Sequence, residues 1–311
     1  MTIDAAVAEL EARLPGAVER DAPSGPLTTY RCGGALTALV RINREPDVAS
    51  LAAALAAHPD VPVLIVGRGS NLLISDAGFD GIGILLGGEL ERVDIDRSRA
   101  TVEAGGAAAL PVMARQAAKA GVGGLEFFVG IPGSVGGALR MNAGGHGAET
   151  RDVLQRARVV DLDRAQTVEL DVDALELGYR HSALTARTLV VAAEFAGRID
   201  DPAECGRRID EIVRWRREHQ PGGQNAGSVF TNPPGDSAGR LIDACGLKGL
   251  RVGHVVVSEK HANFFVAEPG ARADDVLALI HRVQARVERE TGVHLEPELR
   301  LVGFGDCKEA S

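Results

Sequence analysis

The residues best suited to chemistry in this chain sit in two glycine-rich loops, and the chemistry they suit is anion binding. The first loop follows the apolar run Val63-Leu64-Ile65-Val66 and reads Gly67-Arg68-Gly69-Ser70-Asn71-Leu72-Leu73. Consecutive N–H groups in such a turn form a concave anion site, and the Ser70 hydroxyl adds a donor. No Lys-Ser/Thr pair follows, so this is not a P-loop. Leu72 stands where the doubly wound dinucleotide fingerprint has its third glycine. Taken alone, such a segment is more often just a turn. The second loop, Gly130-Ile131-Pro132-Gly133-Ser134-Val135-Gly136-Gly137-Ala138, is followed by Asn142-Ala143-Gly144-Gly145. Six glycines within sixteen residues weaken a packed element by about 1 kcal/mol each relative to alanine. A chain tolerates that where backbone lies against a large flat ligand. Together the loops suggest a dinucleotide held mainly by main chain.

Other reactive residues are scattered. Cys32, Cys205, Cys245 and Cys307 show no CxxC pairing, which fits reduced thiols better than zinc or disulfides. His254 and His261 are seven apart, and His181 and His219 are isolated, so no metal site is expected. A net charge of −9 argues against nucleic-acid binding, though not against a phosphorylated ligand. The chain has 45% hydrophobic and 25% charged residues, with no apolar run near the ~20 residues that span a bilayer. The N-terminus has neither a basic nor an apolar leader segment, so a cytoplasmic protein with no membrane partner is expected. With two tyrosines and one tryptophan, aromatic stacking can carry little of the binding.

The elements that must position these loops alternate through the first 195 residues. Leu39 to Ile42, Val63 to Val66, Gly83 to Leu86 and Thr101 to Ala104 read as strands, and Pro46 to Ala57 and Leu110 to Ala120 as helices. Arg156 to Leu162, Thr167 to Leu170 and Leu189 to Phe195 read as further strands. A long helix is expected from Asp201-Pro202 to His219, with Ile209, Ile212 and Val213 as its apolar stripe. Ser237 to Ala244 and Ala273 to Glu290 read as helices, the latter burying Val276, Leu277, Ile280, Val283 and Val287. Asn263 to Ala267 and Leu299 to Val302 read as strands. An α+β architecture fits this order better than a doubly wound sheet.

Eight motifs in order, over about nine-tenths of the chain, resemble the UDP-N-acetylenolpyruvoylglucosamine reductase family. Thr28-Thr29-Tyr30-Arg31-Cys32-Gly33-Gly34, the two glycine loops and Asn142-Ala143-Gly144 look like its FAD-binding half. Gly178-Tyr179-Arg180, Ala226-Gly227-Ser228-Val229-Phe230, Asn232-Pro233 and Leu295-Glu296-Pro297-Glu298-Leu299-Arg300 look like its catalytic half. The resemblance implies a vanillyl-alcohol-oxidase-type fold of two FAD-binding lobes, 1–90 and 91–198, and a substrate-binding domain, 199–311. It implies the shorter type, without a tyrosine-bearing lid insertion. It also implies NADPH-dependent, FAD-mediated reduction of the enolpyruvyl ether of a UDP-sugar to a lactyl ether, in peptidoglycan precursor synthesis. Oxidases of the same fold often tether flavin through a His or Cys near the first loop. None lies between Leu64 and Asp76, which favours non-covalent FAD. Thr231 stands where many relatives have Lys or Arg, and His146 where Tyr is frequent.

Carried over residue by residue, the resemblance places Arg31, Gly67, Gly69, Ser70, Asn71 and Leu72 at the cofactor. Gly130, Pro132, Gly133, Ser134, Gly136, Gly137, Asn142 and Gly144 join them. Arg180 matches the arginine that meets the substrate's carboxylate, Ser228 the proton donor, and Glu298 a protonated glutamate that holds the charged intermediate. The chemistry suits these types. Hydride delivery to the methylene carbon builds charge on the next carbon and its carboxylate, which wants a planar cation, donors and a proton source. On bare sequence, Arg180 reads more readily as a surface or sheet-edge arginine and Ser228 as a turn serine, and Glu298 can be read as an exposed strand residue. Tyr179, Asn232, Arg240, Lys248 and Lys260 are candidate substrate contacts, the three cations for the UDP phosphates.

Overall fold

The strands of the first two hundred residues form two separate sheets. In a computed structural model, which describes residues 2–305, Val18–Pro23, Ala35–Ile42, Phe79–Leu86 and Val63–Val66 lie side by side in that order. The last two are parallel, with Val63 opposite Ile82 and Val66 opposite Leu85. The second sheet runs Gln166–Asp171, Leu154–Asp161, Thr188–Ala196, Thr101–Gly105, Val93–Asp96 and is antiparallel throughout. Cys307 lies outside the described residues; the other three cysteines are free and buried. Among the described residues no helix is long and apolar enough to cross a membrane.

Two compact units result. The first comprises Met1–Asp21, Thr37–Arg68 and Gly81–Trp215, and the second Ala22–Leu36, Gly69–Asp80 and Arg216–Ser311. Leu72–Ile74 pairs in parallel with Arg300–Val302, and Tyr30 and Cys32 enter the same apolar cluster as Val229 and Phe230. Two early segments therefore supply a strand and core residues to the C-terminal part.

The first unit holds two apolar clusters. One joins helices α1 (Ile3–Arg13) and α2 (Asp47–Ala56) to the four-stranded sheet through Leu10, Leu51, Leu55, Ile82 and Ile84. The other packs α3 (Leu110–Lys119), α4 (Val135–Met141) and the start of α5 (Pro202–His219) on the five-stranded sheet, with Phe128 and Phe195 at its centre. Asp201 caps α5 as expected, accepting the Ala203 N–H at 2.7 Å. The stripe on α5 is shorter than expected: Cys205 and Ile209 are buried, whereas Ile212 and Val213 are only half-buried.

Helix α4 corrects the reading of the second glycine segment as a loop throughout. A Cβ on Gly136 would stand 3.2 Å from the Gly106 carbonyl oxygen and 3.5 Å from Val190 Cβ. Glycine there lets a helix lie close on a strand, and that close packing outweighs its poor helix propensity.

In the second unit, α6 (Ala238–Ala244) and α7 (Ala273–Thr291) accompany a three-stranded antiparallel sheet, Arg251–Val252, Val255–Val257 and Phe265–Ala267. Helix α7 carries Asp274 and Asp275 in its first turn and ends at Gly292, φ +73°. Its buried stripe is Val276, Leu279, Ile280, Val283 and Val287. Leu279 takes the place expected of Leu277, because the 3–4 spacing that faces the core runs through 279.

One polar cluster lies inside the first unit. Arg208 Nη2 is 2.7 Å from Glu126 Oε1, 2.6 Å from Asp200 Oδ2 and 3.2 Å from Cys205 Sγ. Among the described residues, Glu126, Asp200 and Cys205 are the group close enough to share a metal ion, and a guanidinium fills it. Burial opposes ionisation of Glu126, but the Arg208 donors and the Gly124 N–H outweigh it and hold the carboxyl below its ordinary range. Arg208→Ala strands a buried carboxylate and is expected to cost roughly 3 kcal/mol at neutral pH. Because the folded-state value is lowered, this stabilisation is full above the usual carboxylate range and fades as pH falls through the lowered value. Urea unfolding should therefore show a deficit that narrows in acid; a deficit equal at every pH would contradict this.

Candidate functional site

The two glycine segments begin their roles in the first unit, where a Cβ on Gly67 would lie 2.7 Å from Ser134 Oγ. Ser134 is the N-cap of α4, yet its hydroxyl makes no capping hydrogen bond. Part of the expected main-chain cradle is already used. The N–H groups of Val135 and Gly136 donate to the carbonyls of Ala108 and Gly106 at 3.0 and 2.8 Å, and that of Gly133 to Ile131 at 2.9 Å. The first loop differs. Among the described residues, the N–H groups of Gly67, Arg68, Gly69 and Ser70 donate to no main-chain carbonyl.

At its other end α4 stops at Asn142, which is fully buried in the left-handed conformation, φ +41°. Its side chain is committed to the protein. Nδ2 donates to Glu149 Oε2 at 2.8 Å and to the Gly178 carbonyl at 3.0 Å, while Oδ1 accepts the Arg151 N–H at 3.0 Å. Gly144 pairs with Glu149 in a small hairpin, and a Cβ on it would be 2.8 Å from the Ala148 carbonyl oxygen. At the hairpin's tip, the His146 ring meets Trp215 edge-on at 5.1 Å and would crowd a Cβ on Gly130 at 3.1 Å. Pro132 is exposed and Gly137 faces open space, a Cβ there meeting only Ser134 Oγ at 3.6 Å.

Arg180 stands on a two-residue turn. Gly178 and His181 exchange main-chain hydrogen bonds of 3.1 and 3.2 Å, leaving Tyr179 and Arg180 at the tip. Arg180 has φ +54°, which costs a residue with a side chain roughly 1–2 kcal/mol. Its guanidinium lies 5.0 Å from the centre of the exposed Tyr179 ring. A half-buried arginine in a position made for glycine is strain of the kind found at working sites.

In the second unit, Gly69 (φ +62°) is pressed against Leu27 and Thr28, and its carbonyl accepts the Thr29 N–H at 3.1 Å. Exposed Arg31 closes the following turn at φ +56°. Ser70 is half-buried and precedes the strand that Leu72 opens. Asn71 does more than its neighbours. Its Nδ2 donates to the Glu298 carbonyl at 3.0 Å, and its own carbonyl accepts the Arg300 N–H at 3.1 Å.

Ser228 and Glu298 are brought together by main chain. The Glu298 N–H donates to the Val229 carbonyl at 2.8 Å, and the Val229 N–H to the Asn263 carbonyl at 2.8 Å. Buried Asn263 clamps Phe230 from both sides, donating to its carbonyl at 2.8 Å and accepting its N–H at 3.0 Å. The turn belongs to Gly227, φ +75°, whose N–H bonds Asn225 Oδ1 at 3.0 Å. Ser228 itself is half-buried in a bridge to Phe264, not in the turn.

The candidate phosphate cations are occupied locally. Arg240 on α6 forks onto Asp236, whose carboxyl it holds down at about 2, and Lys248 pairs with Asp243 at 2.7 Å. Lys260 donates to the Arg217 carbonyl. Asn232 Oδ1 accepts the N–H of Ala238, the first residue of α6, at 3.1 Å, beside the N-cap Ser237. Sequence reasoning missed the anchoring roles of Asn71, Asn142 and Asn263. For Asn142 a signal existed: asparagine directly after a short helical run tolerates the left-handed conformation.

Residues 36–171 match the FAD binding domain model, and residues 219–302 match the C-terminal domain of UDP-N-acetylenolpyruvoylglucosamine reductase. The chain is thus a flavoprotein oxidoreductase of mixed α+β fold. It is 42% identical over 294 residues to the UDP-N-acetylenolpyruvoylglucosamine reductase of Paramagnetospirillum magneticum, 94% of each chain. It is 40% identical to that of Nitrobacter winogradskyi, covering 98% of this chain and all of the other. The crystal structure of the Thermus caldophilus reductase superposes with a TM-score of 0.79 at 36% identity, covering 92% of this chain and 98% of that one. The chain belongs to the UDP-N-acetylenolpyruvoylglucosamine reductase family.

Proposed function

We propose that the protein reduces the enolpyruvyl ether of UDP-N-acetylglucosamine-enolpyruvate to UDP-N-acetylmuramate, with NADPH as hydride donor, in peptidoglycan precursor synthesis. The observation that carries this reading is the Glu298 to Val229 main-chain bond, which brings the backbone of Glu298 beside the residue that follows Ser228. Non-covalent FAD would be held by Gly67, Gly69, Ser70 and Ser134, whose N–H and hydroxyl donors suit a pyrophosphate. Arg31 and the backbone around Gly130 and Gly137 would assist. Bound FAD would supply the two-electron hydride chemistry between NADPH and the enolpyruvyl group.

The chain's own residues do the rest. Arg180 holds the substrate's carboxylate with parallel donors and cannot lose its proton. Ser228 Oγ delivers a proton to the carbon beside that carboxylate. Glu298, protonated, donates to the carboxylate as negative charge grows. Tyr179 flanks Arg180, while Arg240, Lys248 and Lys260 would have to exchange local partners for the UDP phosphates.

Acid or heat denaturation is expected to release all yellow colour into the supernatant. Flavin left on the precipitate would mean a covalent tether and a different oxidoreductase.

A further inference from the structure

We propose that Asn142 is a positioning residue for Arg180, coupling the α4 helix to the turn that presents the guanidinium. The inference rests on the reading of Arg180 as the carboxylate ligand. Two hydrogen bonds tie the turn segment to the C-terminal end of α4, and a third ties it to Arg151, nine residues beyond Asn142. Asn142 Nδ2 donates to the Gly178 carbonyl at 3.0 Å, Arg151 Nη1 to the Leu177 carbonyl at 3.3 Å, and Ser182 Oγ to the Arg140 carbonyl at 2.9 Å. Asn142 joins two of these tethers, because its Oδ1 also fixes the Arg151 main chain. It is the most buried member, with no exposure, and every polar atom of its amide is used within the protein.

The energetic logic supports a positioning role. Arg180 is held at φ +54° against a steric preference of roughly 1–2 kcal/mol, so the turn keeps that shape only while its surroundings fix it. The Gly178 carbonyl belongs to the hydrogen-bond pair that closes the turn, and Asn142 fixes it directly. At the far end of α4, Ser134 stands against Gly67. One short helix therefore spans from the cofactor segment to the base of the Arg180 turn. An asparagine suits this place because it alone combines tolerance of the left-handed backbone with two donors and an acceptor.

Asn142→Gly isolates the side chain, since glycine takes the left-handed backbone without strain. The flavin that the variant retains should be bleached by NADPH at the wild-type rate. Its reoxidation by the enolpyruvyl UDP-sugar should slow about 10²-fold, as expected of a misplaced catalytic group. Adding Arg180→Lys should slow it little further, because two changes acting through one group are not additive. Ser182→Ala, which removes a different tether, should show the same phase-selective loss to a smaller degree and guards against misfolding of the first variant. Slowed bleaching with normal reoxidation of the bound flavin would overturn the inference. So would full additivity with Arg180→Lys. Failure of Arg180→Lys alone to slow reoxidation would instead refute the underlying reading.

Discussion

Ser228→Ala should be bleached by NADPH at a near-normal rate and then reoxidise with the enolpyruvyl UDP-sugar about 10²–10⁴ times more slowly, the usual contribution of a placed general acid. Its hydroxyl has no part in taking hydride from NADPH, so only the second half-reaction should suffer. Serine is a weak acid, but in the proposed reaction the carbon it would protonate is a strong base at that moment. Geometry supports an intact fold in the variant. Ser228 is half-buried and held through main chain, with Asn263 fixing the adjoining Val229 and Phe230. Removing one oxygen leaves those bonds in place. Ser228→Cys keeps a proton donor and should recover part of the rate. A loss under tenfold in Ser228→Ala would make water, or another group, the donor.

The second large effect concerns Arg180 and Glu298. Both are assigned to a carboxylate whose charge grows in the transition state, so their loss should lower kcat more than it raises KM. Arg180→Lys retains the charge and loses the planar fork, and should still be clearly impaired, by about 10²-fold. Glu298→Gln keeps a donor without requiring a protonated acid, and should be milder than Glu298→Ala. Neither Glu298 substitution removes the main-chain bonds to Val229 and Asn71. Stopped-flow traces and steady-state KM and kcat distinguish the cases. A steep rise in KM at unchanged kcat in all three variants would make these residues ordinary binding contacts.

Much of the scaffold was legible because its periodicity is local. Strands such as Val63–Val66 and Thr101–Gly105, and α7 with its acidic start and glycine stop, announce themselves within a few residues. Helix α4 did not, since Gly136 and Gly137 oppose helix formation and close packing on Val190 decides the matter. Nor did the unit boundaries. The pairing of Leu72–Ile74 with Arg300–Val302 joins two three-residue runs far apart in sequence, and such short runs carry no mark of their partner. The link of Arg208 to Glu126 across 82 positions is equally silent. By contrast, the Asp236–Arg240 pair, four apart at the start of α6, follows from spacing alone and foretells that Arg240 is engaged. Arg180, Ser228 and Glu298 stood out only through resemblance, because none has a local pattern separating a catalytic residue from a surface one.

The central claim is that one flavin site joins NADPH to an enolpyruvyl UDP-sugar, and an anaerobic visible spectrum tests it directly. The purified protein should be yellow, bleach on adding one equivalent of NADPH, and regain its colour on adding one equivalent of UDP-N-acetylglucosamine-enolpyruvate, yielding the lactyl ether. A reduced protein that ignores the sugar and regains colour only with oxygen would contradict the account.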